Sequence, residues 1–372
     1  MFIELLKKEI LKESVNYYTD NLDHYTFGTK RPLKKVVINQ LKRLFFNKPV
    51  ISIILSNDTL YKKFFLGRLL KFGKYIEPLE YFYVNLATEE SKYLFLRLVT
   101  FRVLGYVKVK LPLSNPQYWK GIQEFEQAKN ENDFVAVKSF PWKLYLLDIN
   151  KFGFPFKMYI SPKGGYTTFI LQQYVKNVDG KNLGPAKDDV VLDLGGCYGD
   201  TGIFFSYLIG DKGKVYSFEF ISGNVEIYKK NLAINNIGND RVEIVQHPVW
   251  DSSDKKIYYK DAGAASQISF EKFEGYEGES TTLTVDDFVE RYNIQKLDFI
   301  KTDIEGAEPM ALKGAIKTLT RFKPKLAISI YHSMDDFTGI IRQVNELRLG
   351  YKFYLGHYTI YASETVLYCS VE

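Results

Sequence analysis

Glycines and acids alternate in one short stretch of the chain, Asp193-Leu194-Gly195-Gly196-Cys197-Tyr198-Gly199-Asp200. An apolar run ending in Val190-Val191-Leu192-Asp193-Leu194 leads into it, and a helical segment from Thr201 to Leu208 follows. Glycine suits such a corner because the backbone turns tightly and a ligand must approach where a Cβ would intrude. The helix start offers free N–H groups and the positive end of its dipole, a seat for an anion. Asp193, Gly195, Gly196, Cys197, Tyr198, Gly199 and Asp200 are therefore candidate cofactor-binding residues. The dinucleotide fingerprint G-x-G-x-x-G begun at Gly195 needs glycine at 197 and 200, where Cys197 and Asp200 stand. A second strand, Gly213 to Glu219, ends in a carboxylate able to accept hydrogen bonds from both hydroxyls of a ribose. Loop and glutamate together indicate an adenosine ligand, with Phe220 beside the ribose; the plainer alternative is a tight turn and a surface glutamate.

Proton-handling side chains gather at later strand ends, where ligands of open parallel sheets bind. Lys301 and Asp303 stand two apart on one strand and point to one side of it. Asp303 is a candidate to orient an acceptor hydroxyl or a cofactor amino group. Lys301 is a candidate to lower the pKa of that hydroxyl, unless the two residues form an internal ion pair. Glu305 and Glu308 open the next helix, where acids are favoured for reasons unrelated to chemistry; Glu305 is the better candidate. His332 closes the run Leu326-Ala327-Ile328-Ser329-Ile330-Tyr331 and, with an ordinary pKa of ~6.5, is the best general-base candidate. His247, Pro248 and Val249 follow the third strand and are expected in the wall of an adenine pocket.

No metal site is expected, since His24, His247, His332 and His357 lack ligand-like spacing and Asp303 with Glu305 is a weak case for Mg²⁺. Cys197 and Cys369 supply neither a disulfide framework nor a CxxC site.

The elements that position these residues change character along the chain. Residues 1–133 read as a mainly helical domain, including an apolar-periodic helix from Thr88 to Gly105 and one strand-like run, Val50 to Leu55. Residues 134–184 form a connection whose short alternating runs suggest a small sheet or hairpin. From 185 to 372 strand-like runs at 190–194, 214–219, 241–246, 297–302 and 325–331 alternate with helical patterns, and Tyr351 to Leu355 and Thr365 to Cys369 close the chain as a hairpin. That grammar predicts a Rossmann-like, seven-stranded, doubly wound α/β sheet. With 372 residues, 46% hydrophobic and 25% charged, two domains with buried cores are expected. The net charge of +6 is scattered and gives only a mild bias toward anionic partners. The amino-terminal residues lack the apolar core of a signal peptide, and no run reaches the ~20 apolar residues of a membrane span, so the expected location is cytoplasmic.

With these motifs in order, the segment resembles the FkbM-type S-adenosylmethionine-dependent methyltransferases. The resemblance is carried by the glycine loop, Val215 to Phe220, Lys230-Asn231-Leu232-Ala233-Ile234-Asn235-Asn236, Phe299-Ile300-Lys301-Thr302-Asp303-Ile304-Glu305-Gly306-Ala307-Glu308, Ala327 to His332 and Glu364 to Tyr368. Phe220 departs from the proline usual after the family's glutamate. Looser similarity, around Glu90 to Arg102 and at Gln172-Gln173-Tyr174, is to helical extensions of some members.

The resemblance implies a class I methyltransferase fold, S-adenosyl-L-methionine as cofactor, and O-methylation of a sugar, glycan, glycoconjugate intermediate or secondary metabolite. Transfer to oxygen agrees with the absence of Asn-Pro-Pro-Tyr after the fourth strand, where Asp303-Ile304-Glu305-Gly306 stands. Methyl transfer is an in-line displacement whose main demand is alignment, worth ~7–11 kcal/mol. Loops such as 261–280 are expected to help select the acceptor. An RNA methyltransferase with a helical RNA-binding module is the main alternative, opposed by the scattered charge, so no nucleic-acid partner is expected. A NAD-dependent oxidoreductase is opposed by Cys197 and Asp200; a non-catalytic adenosine-binding scaffold is a further alternative. Basic residues between 30 and 48 flank an apolar pattern and are a candidate contact with an anionic membrane surface or phosphate. Oligomeric state is not legible in the sequence.

Overall fold

Seven apolar runs between residues 190 and 370 pair into one sheet. The computed structural model describes residues 1–23, 73–137, 143–261, 263 and 266–371. The expected basic stretch 30–48, the run Val50 to Leu55 and His24 lie outside them. The strands of this sheet are numbered β1 (Val190–Leu194), β2 (Lys214–Phe218), β3 (Val242–Val245), β4 (Phe299–Thr302), β5 (Lys325–Ser329), β6 (Lys352–His357) and β7 (Thr365–Ser370). Their spatial order is β6-β7-β5-β4-β1-β2-β3. Strands β1 to β5 are parallel, and β7 runs antiparallel to β5 with Cys369 opposite Leu326. The expected α/β sheet is thus observed.

Burial explains why these runs carry so few polar side chains. Helices cover both faces of a parallel sheet, so its strands are largely apolar; all four residues of β4 are buried, Lys301 and Thr302 among them. The helices Asp200–Ile209, Ser222–Ile234, Val285–Arg291, Glu308–Lys313, Ile316–Phe322 and Met334–Glu346 form these covers. Thr284 and Ser333 cap two of them by accepting from the backbone N–H of Asp287 at 2.9 Å and Asp336 at 3.0 Å. The chain passes from β1 to β2 on one side and places β4 on the other. The carboxyl ends of these strands therefore border the crevice where the strand order reverses.

Three smaller sheets accompany the large one, the smallest pairing Asn177–Val178 with Lys181–Asn182. Lys129–Ala136, Lys143–Asp148 and Lys157–Ile160 form an antiparallel sheet in the region where short alternating strands are expected. Lys256–Lys260, flanked by Gln267–Ser269 and Gly278–Thr281, forms another where the sequence suggests only a loop. These strands have three to five residues and exposed, charged neighbours, too short for their alternation to register.

Contacts divide the chain into two units: residues 1–118 with 357–364, and residues 119–356 with 365–372. The first contains helices Phe2–Ser14, Ile76–Asn85 and Glu89–Leu104. Thr88 caps the last of these by accepting from the Ser91 N–H at 3.2 Å, and Gly105 ends it with φ of +82°. Its core stacks Phe82 on Phe95 at 4.4 Å, and Arg97 pairs with Glu9 and Glu13 at 2.6 and 2.7 Å. Tyr361, from the 357–364 segment, packs edge-on against Phe101 in the same unit. The second unit holds the four sheets, save His357 at the end of β6, and all the predicted site residues.

Candidate functional site

The glycine loop is shaped first by the protein's own packing. Gly195 and Gly199 have φ of +86° and +90°, the left-handed region that glycine adopts without strain. A Cβ on Gly199 would overlap the Tyr228 ring, which lies buried beneath the loop. Cys197 also has a positive φ, +44°, and points its backbone into the same turn. Asn231 donates to the Tyr198 carbonyl at 2.9 Å, and the Tyr198 side chain packs with Leu144, Tyr159 and Ile227.

Asp193 and Lys301 hold this loop from below. The two residues face each other in the β1–β4 register, and their charged groups lie 3.0 Å apart with almost no exposure. Asp193 accepts from Thr201 and Ser217, each at 2.8 Å, while Lys301 donates to the Gly195 carbonyl at 2.5 Å. Burial opposes the Lys301 charge, but the Asp193 and Asp303 carboxylates outweigh it and leave its pKa raised. Lys301, expected beside the acceptor, is therefore a positioning residue of the loop, because its ammonium is already used. Asp200 plays a similar part: half-buried and raised in pKa by desolvation, it accepts from Thr168 at 2.6 Å. Thr168 lies in a single π-helical turn, Tyr166–Ile170.

Above the loop lies a cavity of about 300 Å³. Of the expected residues, Gly195, Cys197, Glu219, Phe220, His247, Pro248, Val249, Asp303 and Glu305 line it. Asp193, Gly196, Tyr198, Gly199, Asp200, Lys301 and His332 do not; they build the loop and strand ends around it. Glu219, just past β2, is 7% exposed and accepts from the Ile221 N–H at 2.8 Å. Burial raises its pKa to about 7, against backbone and Asn224 hydrogen bonds that favour the carboxylate. His247 is fixed by its Nδ1 contact with the Thr281 carbonyl at 2.8 Å. Trp250 and Phe270 meet edge-on at 5.2 Å, and Trp250 completes the apolar wall. Burial pushes the Cys197 thiol well up, so it faces the cavity as a neutral group.

At the ends of β4 and β5 three side chains converge on Asp303, and two further carboxylates stand against one of them, His332. His332 Nε2 lies 2.9 Å from Asp303 Oδ1, Tyr174 donates to Oδ2 at 2.8 Å, and the Tyr331 hydroxyl lies 3.1 and 3.2 Å from the two oxygens. Glu308 Oε1 lies 3.3 Å from His332 Nε2, and Glu305 Oε2 lies 3.5 Å from its Nδ1. Burial alone would lower the His332 pKa, but hydrogen bonds to Asp303 and Glu308 raise it to about 11. Burial would likewise raise Asp303, which His332 and Lys301 instead hold down at about 2.

The expectation placed His332 as a free general base; in the fold its imidazole is held by Asp303 and Glu308, both of which favour the protonated ring. Glu308, passed over in favour of Glu305, is fully buried against His332, whereas the Glu305 side chain is about half exposed. Sequence spacing gave no metal site, yet Asp303, Glu308 and His332 offer ligand atoms all within 4.8 Å of one another. Tyr174 and Tyr331 were missed as site residues, although both adjoin motifs singled out in the sequence.

Residues 193–353 match a family model described as the methyltransferase FkbM domain. The crystal structure of methyltransferase FkbM from Methylobacillus flagellatus superposes with a TM-score of 0.51 at 17% identity, covering 81% of this chain and 60% of that protein. The chain thus spans about three-fifths of that relative's length, and the likeness bears on the fold, that of a class I methyltransferase. A putative rRNA methylase from Clostridium thermocellum gives a TM-score of 0.34 at 12% identity, covering 50% of this chain and 87% of that one. Fibrillarin from Aeropyrum pernix, solved with S-adenosyl-L-methionine, gives 0.32 at 12%, covering 64% and 99%. No sequence among the curated proteins matches the chain. No helix among the described residues is long and apolar enough to cross a membrane.

Proposed function

We propose that this chain, which belongs to the FkbM-type methyltransferases, uses S-adenosyl-L-methionine to methylate a hydroxyl of a sugar, glycan, glycoconjugate intermediate or secondary metabolite. One observation carries the reading: a single cavity at the point of strand reversal is lined by both Glu219 and Asp303, from the ends of the strands on either side of β1. The cofactor would supply an electrophilic methyl group on a sulfonium.

The residues fit such a ligand. Glu219 is a nearly buried carboxylate with acceptor capacity to spare, and two ribose hydroxyls would hold it ionised. Phe220, His247, Pro248, Val249 and Trp250 offer a mostly apolar wall for a flat base. Gly195 and Cys197 leave the loop backbone open to the cavity.

The chain's own groups then handle alignment and protons. Asp303 is an acceptor on the far side of the cavity from Glu219, fixed in orientation by the Tyr174 and Tyr331 hydroxyls. An acceptor hydroxyl donating to Asp303 would be aligned at little further entropic cost. Oxygen as the acceptor atom is supported by these acids at the end of β4. Calorimetry with S-adenosyl-L-methionine, its demethylated product and NAD tests the cofactor; tight binding of NAD alone would overturn the reading. Methyl incorporation from labelled cofactor across a panel of glycans and hydroxylated metabolites tests the acceptor class.

A further inference from the structure

Two carboxylates and an imidazole meet at the ends of β4 and β5 with the spacing of metal ligands. Asp303 Oδ1 and Glu308 Oε1 lie 2.9 and 3.3 Å from one atom, His332 Nε2. Ligands at right angles on an octahedral cation, with bonds of ~2.1 Å, are about 3 Å apart. No atom of the trio need move far to share an ion.

A second observation points the same way. Glu308 is fully buried, and its Oε2 has no hydrogen-bond partner among the described residues. A buried carboxylate oxygen left unpaired is costly and calls for a partner that side chains do not provide. The other face of the imidazole is also arranged, because Glu305 Oε2 lies 3.5 Å from Nδ1. A carboxylate on that side can orient a metal-binding histidine through its second nitrogen. Three carboxylates, Asp303, Glu305 and Glu308, stand around the imidazole, a local gathering of acidic groups. Lys301, on the same strand as Asp303, is paired with Asp193.

We propose that Asp303, Glu308 and His332 form a site for a divalent cation. Carboxylate oxygens with a single imidazole suit Mg²⁺ or Mn²⁺; no thiolate joins the set to favour a softer ion. Asp303 also lines the cavity, so the ion stands beside it with positions for water and an acceptor oxygen. This last use rests on the reading of the cavity given above; the cation site itself does not.

Mn²⁺ is the probe. Protein treated with chelator and titrated with Mn²⁺, followed by the loss of the free-ion paramagnetic resonance signal, is expected to bind one ion per chain. Glu308→Gln and His332→Gln should each weaken that binding at least ~10-fold, and Glu305→Gln by less. Circular dichroism establishes that each variant folds. Electron spin-echo modulation on the wild type needs no variant and should show one imidazole nitrogen coupled to the bound ion.

Absence of saturable Mn²⁺ binding below millimolar, absence of nitrogen modulation, or folded variants that bind as the wild type does would each overturn the site. Calorimetry with S-adenosyl-L-methionine on the same samples reads the cavity separately. Manganese binding with no cofactor binding would leave the cation site standing and remove its proposed use.

Discussion

The backbone carbonyl of Asp303 occupies the space that a Cβ on Gly195 would need. The loop after β1 and the end of β4 are therefore in direct contact, and Lys301 ties them further through the Gly195 carbonyl and Asp193. The glycine loop and the Asp303 strand end are thus held together by backbone contact and by one buried ion pair. Four predictions follow from this coupling and from the residues around it.

Lys301→Met strands Asp193 as a buried, unpaired carboxylate. Loss of one partner from such a pair costs about 3–5 kcal/mol. Denaturant unfolding followed by circular dichroism should show a loss of that order, largely restored when Asp193→Asn is added. A loss below about 1 kcal/mol would mean that the pair does not hold the loop.

Gly202 lies inside helix Asp200–Ile209, where alanine would ordinarily gain about 1 kcal/mol over glycine. Here a Cβ would overlap the Tyr228 hydroxyl. Gly202→Ala should therefore destabilise, by roughly 1–3 kcal/mol, and Tyr228→Phe should relieve part of that cost. Thermal unfolding of both single variants and the double variant measures the coupling; additive effects would refute the clash.

Glu219 links cofactor binding to pH. Its pKa is about 7 in the ligand-free fold against an ordinary value of 4.5, so its contribution to stability is fullest below 4.5 and is lost as pH rises through 7. Above 7 the ionised form costs roughly 3 kcal/mol, and Glu219→Gln should be more stable than the wild type at pH 8. On the proposed reading cofactor affinity has the opposite sign: ribose hydroxyls would donate to the carboxylate, and binding near pH 6.5 would release a proton. Calorimetry in two buffers of different ionisation enthalpy detects that proton; identical heats would exclude it.

Tyr174→Phe removes one hydroxyl that orients Asp303. At ~0.5–1.5 kcal/mol for such a bond, turnover should fall by about 2- to 10-fold with cofactor affinity unchanged. His332→Ala should lower turnover by ~10²-fold or more, again with cofactor binding nearly intact. Steady-state kinetics with the true acceptor separates the two, and full activity in His332→Ala would remove that residue from the chemistry.

Local pattern made the glycine loop, Glu219 and the strand ends legible, because each is a short run whose spacing directly encodes a turn or a strand terminus. The Lys301 partner was not legible. Two residues from Asp303 on one strand, it pairs instead with Asp193, since the parallel register of β4 on β1 sets them opposite each other. The raised pKa of His332 was hidden for a similar reason: it depends on carboxylates delivered by a different strand end and the following helix. Tyr174 reaches the site from a segment that precedes the sheet altogether, which only tertiary packing discloses.

The segment 357–364 connects β6 to β7 yet belongs to the unit of the amino-terminal helices. During synthesis those helices emerge first, but a part of their own unit emerges only after six of the seven strands. The amino-terminal unit is thus begun early and completed late, so truncation after β5 would leave both units unfinished.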